Sequence, residues 1–156
     1  MTTCIALPVS LQRYFEVPPL AVRQRALATA LARAEGARIV VLSSEAQLGT
    51  VPQAQPLAEK LALFASTIVD VDVSFRVLSG RPSDAVVDAV AEEGCDLAII
   101  GSHAKHGAIE LPFGTTTHSL LATLACAVVV VRPTPEEALA ARRMLVPSYP
   151  VVMPYL

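Results

Sequence analysis

The chain has 156 residues, of which 53% are hydrophobic and 4% aromatic, and its formal net charge at pH 7 is −2. This length suits one domain with a full-sized hydrophobic core. The small negative charge argues against a nucleic-acid partner, because backbone phosphates require a basic face. No apolar run approaches the roughly 20 residues of a membrane span, so no membrane partner is expected.

The cysteines indicate the redox conditions, and so the cellular compartment, in which the protein is expected to fold. Cys4, Cys95 and Cys126 each stand beside apolar residues. An odd number of cysteines in such surroundings favours reduced, buried thiols over disulfides or metal ligation. The first residues also lack the basic region and cleavage site of a signal peptide. Together these features predict a cytoplasmic protein.

The hydrophobic pattern predicts four successive strand–helix pairs and a final strand. The predicted strands cover residues 3–9, 38–43, 71–78, 96–100 and 127–131. The predicted helices cover residues 20–34, 56–66, 82–93 and 115–124, with a loop over 49–55 and a short fifth helix over 135–143. Gly36 and Gly94 follow the first and third helices, where glycine commonly ends a helix.

Two predicted helices carry apolar stripes that should face a sheet. The stripe of the first helix is Leu20, Leu27, Leu31 and Ala34. The stripe of the third helix is Ala85, Val86, Ala89 and Val90. The third strand instead alternates, with Val71, Val73, Phe75 and Val77 on one face.

Strand–helix alternation predicts an α/β fold, a single open five-stranded parallel sheet with helices on both faces. With the common strand order 3-2-1-4-5, the carboxyl ends of the first and fourth strands become neighbours at the switch point, where ligands bind. Val9-Ser10 and Gly101-Ser102 should therefore line one crevice. The last strand should lie at an edge of the sheet.

The loop that follows the fourth strand carries the residues of a phosphate cradle. It runs from Gly101 to Thr117 and contains glycines, hydroxyls and Lys105. Backbone N–H groups in such a loop, and the positive end of the next helix, favour an anion. The threonines at 115–117 also suit a helix N-cap, and Lys105 also suits a solvated loop position.

At this point the sequence resembles the universal stress protein family over roughly residues 3–133. Gly80-Arg81-Pro82, with the helix and strand that follow as far as His103, resembles the family's third helix and fourth strand. The Gly101–Thr115 loop resembles its phosphate-binding signature, in which glycine, two residues, glycine and nine residues precede glycine with serine or threonine. Residues 125–133 resemble its last strand.

The resemblance implies a Rossmann-like, adenine nucleotide α-hydrolase-like domain that binds ATP or another adenine nucleotide in the stress response. It also implies a homodimer formed through the last strand, Ala127 to Val131. Sensing or protein contact is expected rather than catalysis. The nucleotide-binding residues implied are Leu7, Pro8, Val9, Ser10, Val41, Gly101, Ser102, His103, Gly107, Gly114, Thr115 and Thr116.

Two positions depart from the family pattern. Ala104 replaces the middle glycine of the signature, and Ser10 stands where nucleotide-binding members usually carry an aspartate. If position 104 requires a positive φ, alanine costs about 1–2 kcal/mol, roughly a tenfold loss in affinity. If it requires room, the methyl group would exclude the phosphate. The alternative function is therefore a nucleotide-free interaction module of the same fold with a degenerate site.

Metal and catalytic sites find less support. His103, His106 and His118, with Glu110 or Cys126, are the candidate metal ligands, but no close spacing such as C-x-x-C is present. No G-x-S-x-G elbow, Walker A motif or dinucleotide fingerprint occurs. No metal is predicted, and any ATP hydrolysis is expected to be very slow.

The chain divides at residue 134 into the α/β domain, 1–134, and a C-terminal helix with an apolar tail, 135–156. The tail, Met144 to Leu156, contains three prolines that exclude a helix. Its apolar composition does not suit a solvated segment. It is expected to pack in extended form, on its own domain or across the dimer.

Overall fold

The computed structural model describes residues 1–45, 56–102 and 115–145. The predicted loop over 49–55, the loop after Ser102 and the tail beyond Leu145 lie outside the described residues. The strands are β1 Cys4–Pro8, β2 Arg38–Ser44, β3 Val73–Leu78, β4 Leu97–Gly101 and β5 Ala127–Val131. The helices are α1 Pro19–Glu35, α2 Leu57–Ser66, α3 Pro82–Glu93, α4 Thr115–Thr123 and α5 Pro135–Arg143.

The five strands form one parallel sheet in the order β3-β2-β1-β4-β5, which confirms the predicted fold class and edge position of β5. β1 is the central strand and pairs with both β2 and β4. Helices α1 and α2 cover one face, whereas α3 and α4 cover the other. Among the described helices, none has the length and apolar character to span a membrane.

Side chains alternate between two cores along each strand, as the pleat requires. On β1, Ile5 and Leu7 face the α1–α2 core, where Leu61 and Phe64 of α2 pack. Ala6, between them, faces the α3–α4 core. In α3, Val86, Ala89 and Val90 are buried as predicted, with Ala85 packed against them. The exception to the predicted pattern in β3 is Phe75, which is 42% exposed because β3 is an edge strand.

The buried face of α1 differs from the predicted stripe. Leu27 and Leu31 are only half-buried at the margin of the core, and Ala34 is exposed. The reason is that small side chains let a helix approach a sheet closely, so Ala21, Ala28 and Ala32 face the sheet while Leu27 and Leu31 flank it. The buried residues of α1 are Leu20, Ala21, Gln24, Ala28 and Ala32.

Gln24 is the polar residue on that buried face, and it joins two strands. Its Nε2 donates hydrogen bonds to the carbonyl oxygens of Pro8, at 2.8 Å, and Ile99, at 3.1 Å. These carbonyls belong to β1 and β4 near the carboxyl ends of both strands. Gln24 is only 1% exposed, so a buried amide links β1 and β4. The link lies where the chain leaves β1 toward one face of the sheet and β4 toward the other.

α5 returns the chain to α1 after β5. Thr134 caps α5, since its hydroxyl accepts a hydrogen bond from the Glu137 N–H, and Glu137 accepts one from the Thr134 N–H. Arg23 of α1 donates to the Arg132 carbonyl at 2.7 Å and forms an ion pair with Glu137 at 2.9 Å. The Thr134 N–H and Arg23 together lower the pKa of the Glu137 carboxyl. These contacts hold α5 against α1.

The cysteines are free in this structure. Cys4 and Cys95 are buried in the α3–α4 core, with their sulfur atoms 3.0 Å apart. Burial raises the pKa of the Cys95 thiol, and its contact with Cys4 raises it further. Cys126 is half-buried rather than buried as predicted, because it lies just before the edge strand β5. Burial also raises the pKa of its thiol.

We expect the native protein to show two classes of thiol. Attack on a disulfide reagent requires a thiolate and access to it, so Cys4 and Cys95 should react only after unfolding. Cys126 should react faster because it is more exposed. Titration with a chromogenic disulfide reagent at pH 8, with and without denaturant, measures this. In the Cys126→Ser variant the native-state phase should vanish; its persistence would contradict the assignment.

Replacing Gln24 should weaken the whole domain. Gln24→Ala leaves the buried Ile99 carbonyl and the part-buried Pro8 carbonyl without this donor, which costs about 1–3 kcal/mol of unfolding free energy. Val22→Ala on the same helix is the control, since Val22 is 40% exposed and such changes usually stay within about 0.5 kcal/mol. Urea unfolding followed by circular dichroism measures both. Equal midpoints for the two variants would show that the Gln24 bridge does not stabilise the fold.

Candidate functional site

The carboxyl ends of β1 and β4 lie side by side at one edge of the sheet. Val9 follows β1 and is fixed to β2: its N–H donates to the Leu42 carbonyl at 2.8 Å, and its carbonyl accepts from the Ser43 hydroxyl at 2.7 Å. Ser10 comes next and is half-buried. On the other side, Gly101 ends β4. The structure thus brings the two predicted segments to the same edge.

The start of α4 is held against the exit of β4. Thr117, in the first turn of α4, donates its hydroxyl to the Gly101 carbonyl at 2.9 Å and is 4% exposed. Ser102 donates its N–H to the Val131 carbonyl of β5 at 2.9 Å. The positive end of the α4 dipole therefore lies beside the β4 exit, which is the arrangement that favours an anion.

Ser102 supplies an unused hydroxyl at this edge. The residue is 1% exposed, and its Oγ has no hydrogen-bond partner among the described residues. Alternation along β4 places Ser102 on the α3–α4 side of the sheet, the side from which Thr117 approaches. A buried hydroxyl left unpaired costs about 1–3 kcal/mol. The site thus contains a polar group whose stabilisation requires a further partner.

Gly101 makes room for Gln24 beneath the exits of β1 and β4. A Cβ atom on Gly101 would lie 2.6 Å from Gln24 Oε1 and 2.8 Å from Leu20 Cδ2. Since hydrogen bonds hold the Gln24 amide, it cannot move aside without losing them. The predicted role of Gly101 is phosphate binding alone, and the sequence predicts no role for Gln24. The available signal was a glutamine at helical spacing between Ala21 and Ala28.

The other predicted nucleotide-binding residues do not all lie at the exits of β1 and β4. Leu7 and Val41 are paired in the sheet and are 0% exposed. Their side chains belong to the α1–α2 core, so their placement does not support a side-chain contact with a ligand. Pro8 offers its carbonyl to Gln24. Thr115 begins α4, and Thr116, beside it, is exposed. Outside the described residues lie His103, Ala104, Lys105, Gly107 and Gly114.

Most of the candidate metal ligands lie outside the described residues. His118 is exposed on α4. His103, His106 and Glu110 lie outside the described residues. Within residues 1–45, 56–102 and 115–145, no three His, Cys, Asp or Glu side chains are grouped to hold a metal ion.

The sequence matches the model of the universal stress protein family over residues 20–132. No curated protein matches the chain. Among solved structures, a universal stress protein from Archaeoglobus fulgidus in complex with dAMP is 18% identical, with a TM-score of 0.61, over 82% of this chain and 96% of that one.

Two further structures are similar in fold. A universal stress protein family protein from Arabidopsis thaliana with AMP bound is 17% identical, with a TM-score of 0.61, over 86% of this chain and 94% of that one. A universal stress protein in complex with cAMP is 19% identical, with a TM-score of 0.60, over 85% and 98%. The family match covers more than half of the sequence, and the chain therefore belongs to the universal stress protein family.

Proposed function

We propose that this protein binds an adenine nucleotide, ATP by preference, between the exits of β1 and β4. It would act in the cytoplasm, in the stress response, as a homodimer that senses the nucleotide rather than turning it over. The observation that carries the proposal is the meeting of both strand exits with the first turn of α4. The structural relatives with AMP, dAMP and cAMP make adenine nucleotides the ligand class to test.

Each part of the cleft suits one part of a nucleotide. The start of α4 and the Thr116 hydroxyl suit the phosphates, and the sequence pattern adds Thr115 to this group. The Ser102 hydroxyl, which has no partner among the described residues, supplies one more donor on the same side. The Ser10 hydroxyl, at the exit of β1, suits a ribose hydroxyl. From the sequence pattern, His103, Gly107 and Gly114 would complete the phosphate loop.

The two departures from the family pattern set the expected strength of binding. Ser10 brings no negative charge, so a metal-bridged or charge-assisted contact at the β1 exit is lost. At position 104, alanine weakens binding if a positive φ is required there, and it excludes the phosphate if room is required. Weak binding is therefore expected from the natural sequence, and restoring glycine at 104 isolates that one contribution.

The Ala104→Gly variant should bind ATP and AMP roughly tenfold more tightly than the natural protein, because a backbone strain of about 1–2 kcal/mol is relieved. Ala108→Gly, in the same loop but outside the signature positions, is the matched control and should leave affinity unchanged. Isothermal titration calorimetry with each nucleotide measures the three proteins. If neither the natural protein nor Ala104→Gly binds a nucleotide, the proposed ligand class is wrong.

A second candidate function is a nucleotide-free interaction module. Ser10 and Ala104 favour it, since both weaken the same site. In that case the partner surface would carry the function, and calorimetry would show no heat with any of the three proteins. The dimer described next would remain, because it depends on β5 and not on the cleft.

The outer edge of β5 suits pairing with a second copy. Among the described residues, no strand pairs with that side of β5. Because the Val131 carbonyl accepts the Ser102 N–H, Val131 and Val129 direct their polar backbone groups toward β4. Val128 and Val130 then direct theirs outward. An exposed row of backbone donors and acceptors on an all-valine strand is a template for another chain.

Val130→Pro should convert a dimer into a monomer, because proline removes an outward N–H and hinders pairing across β5. Phe75→Pro is the matched control: β3 is the opposite edge, and Asp72 and Ser74 direct their backbone groups toward β2, so Phe75 faces outward. Light scattering coupled to gel filtration gives the mass of each, and circular dichroism verifies folding. A dimeric Val130→Pro protein, or a monomeric natural protein, would contradict pairing through β5.

A further inference from the structure

An apolar groove lies between the β1–α1 loop and α2. Its volume is about 310 Å³. Phe15 is 63% exposed and Leu63 is 60% exposed, which are high values for large apolar side chains. The apolar side chains that line it are Leu11, Tyr14, Phe15, Val17, Leu63 and Phe64.

Polar contacts fix both walls of the groove. Lys60 of α2 donates its ammonium group to the Tyr14 carbonyl at 3.0 Å, which holds the loop to the helix. The Arg25 guanidinium of α1 lies 4.8 Å from the centre of the Phe64 ring. The groove therefore has a defined shape rather than being a gap between independent segments.

The chain itself approaches this groove after α5. The Phe15 N–H donates to the Met144 carbonyl at 2.8 Å, and Leu145 forms an antiparallel bridge with Tyr14. Both Tyr14 and Phe15 line the groove. The described part of the chain thus stops at the groove's rim, and residues 146–156 begin there.

Residues 146–156 have the composition to fill such a groove. They carry no charged side chain, and Pro147, Pro150 and Pro154 divide their apolar residues into short runs. Prolines at this spacing exclude a helix and favour the extended polyproline conformation. Grooves lined by aromatic side chains are a common binding site for that conformation. Fully extended, the segment reaches about 35 Å, enough to run the length of a groove that starts beside it.

We propose that residues 146–156 dock in this groove of their own chain. The sequence alone left open whether the tail packs on its own domain or across the dimer. The Leu145–Tyr14 bridge favours the same chain, because it sets a high effective concentration of the segment at the rim. Docking covers Phe15 and Leu63, whose exposure is otherwise unfavourable.

The chain has no tryptophan, so one introduced tryptophan reports on its surroundings alone. In the full chain, Tyr149→Trp and, separately, Tyr155→Trp should show blue-shifted emission and acrylamide quenching about threefold weaker than a free indole. Adding Leu63→Asp should restore full quenching. Adding Leu139→Asp, at an α5 position that is 52% exposed and outside the groove, should change nothing.

The dependence of tryptophan shielding on protein concentration identifies whether residues 146–156 dock on their own chain or on the partner chain. Shielding that stays constant on dilution through the dimer–monomer transition supports docking on the same chain. Shielding that disappears as the dimer dissociates would assign the groove to the partner's segment and overturn the proposal. Full quenching of both tryptophans, or shielding that survives Leu63→Asp with native circular dichroism, would overturn it as well.

Discussion

The domain depends on how the exits of two adjacent strands are held together. β1 connects back across one face and β4 across the other, so the sheet opens between them at the switch point. Gln24 links the two strands there, because its side-chain amide donates hydrogen bonds to the carbonyls of Pro8 and Ile99. Gly101 lacks a side chain because that amide occupies the space. The exits of β1 and β4 are therefore joined by one buried polar group.

Much of the fold could be predicted because it follows from patterns that repeat along the chain. Alternating strands and helices give the sheet order through chain handedness, and glycine positions give helix ends, as at Gly36 and Gly94, where φ is 68° and 67°. The orientation of α1 could not be predicted from hydrophobicity. Leucine is more apolar than alanine, but closeness to the sheet selects small side chains, so Ala28 and Ala32 are buried while Leu27 and Leu31 are only half-buried.

The site was predictable at the level of segments but not of atoms. Topology alone brought Val9-Ser10 and Gly101-Ser102 to one edge. It did not show that Leu7 and Val41 are fully used by the core, or that Thr117 rather than Thr116 anchors α4. Such distinctions depend on which way a side chain turns at the end of a strand or in the first turn of a helix. A motif gives the residue type at a position but leaves that direction open.

The attachment of α5 to α1 separates two surfaces of the molecule. By turning back over α1, held by Arg23 and Glu137, the chain leaves the border strand β5 uncovered by its own described residues. After α5, Leu145 lies beside Tyr14, on the side of the sheet where α2 packs on β2 and β3. The uncovered edge of β5 and the last described residue, Leu145, therefore lie on opposite flanks of the sheet, so a substitution at one position need not alter the other.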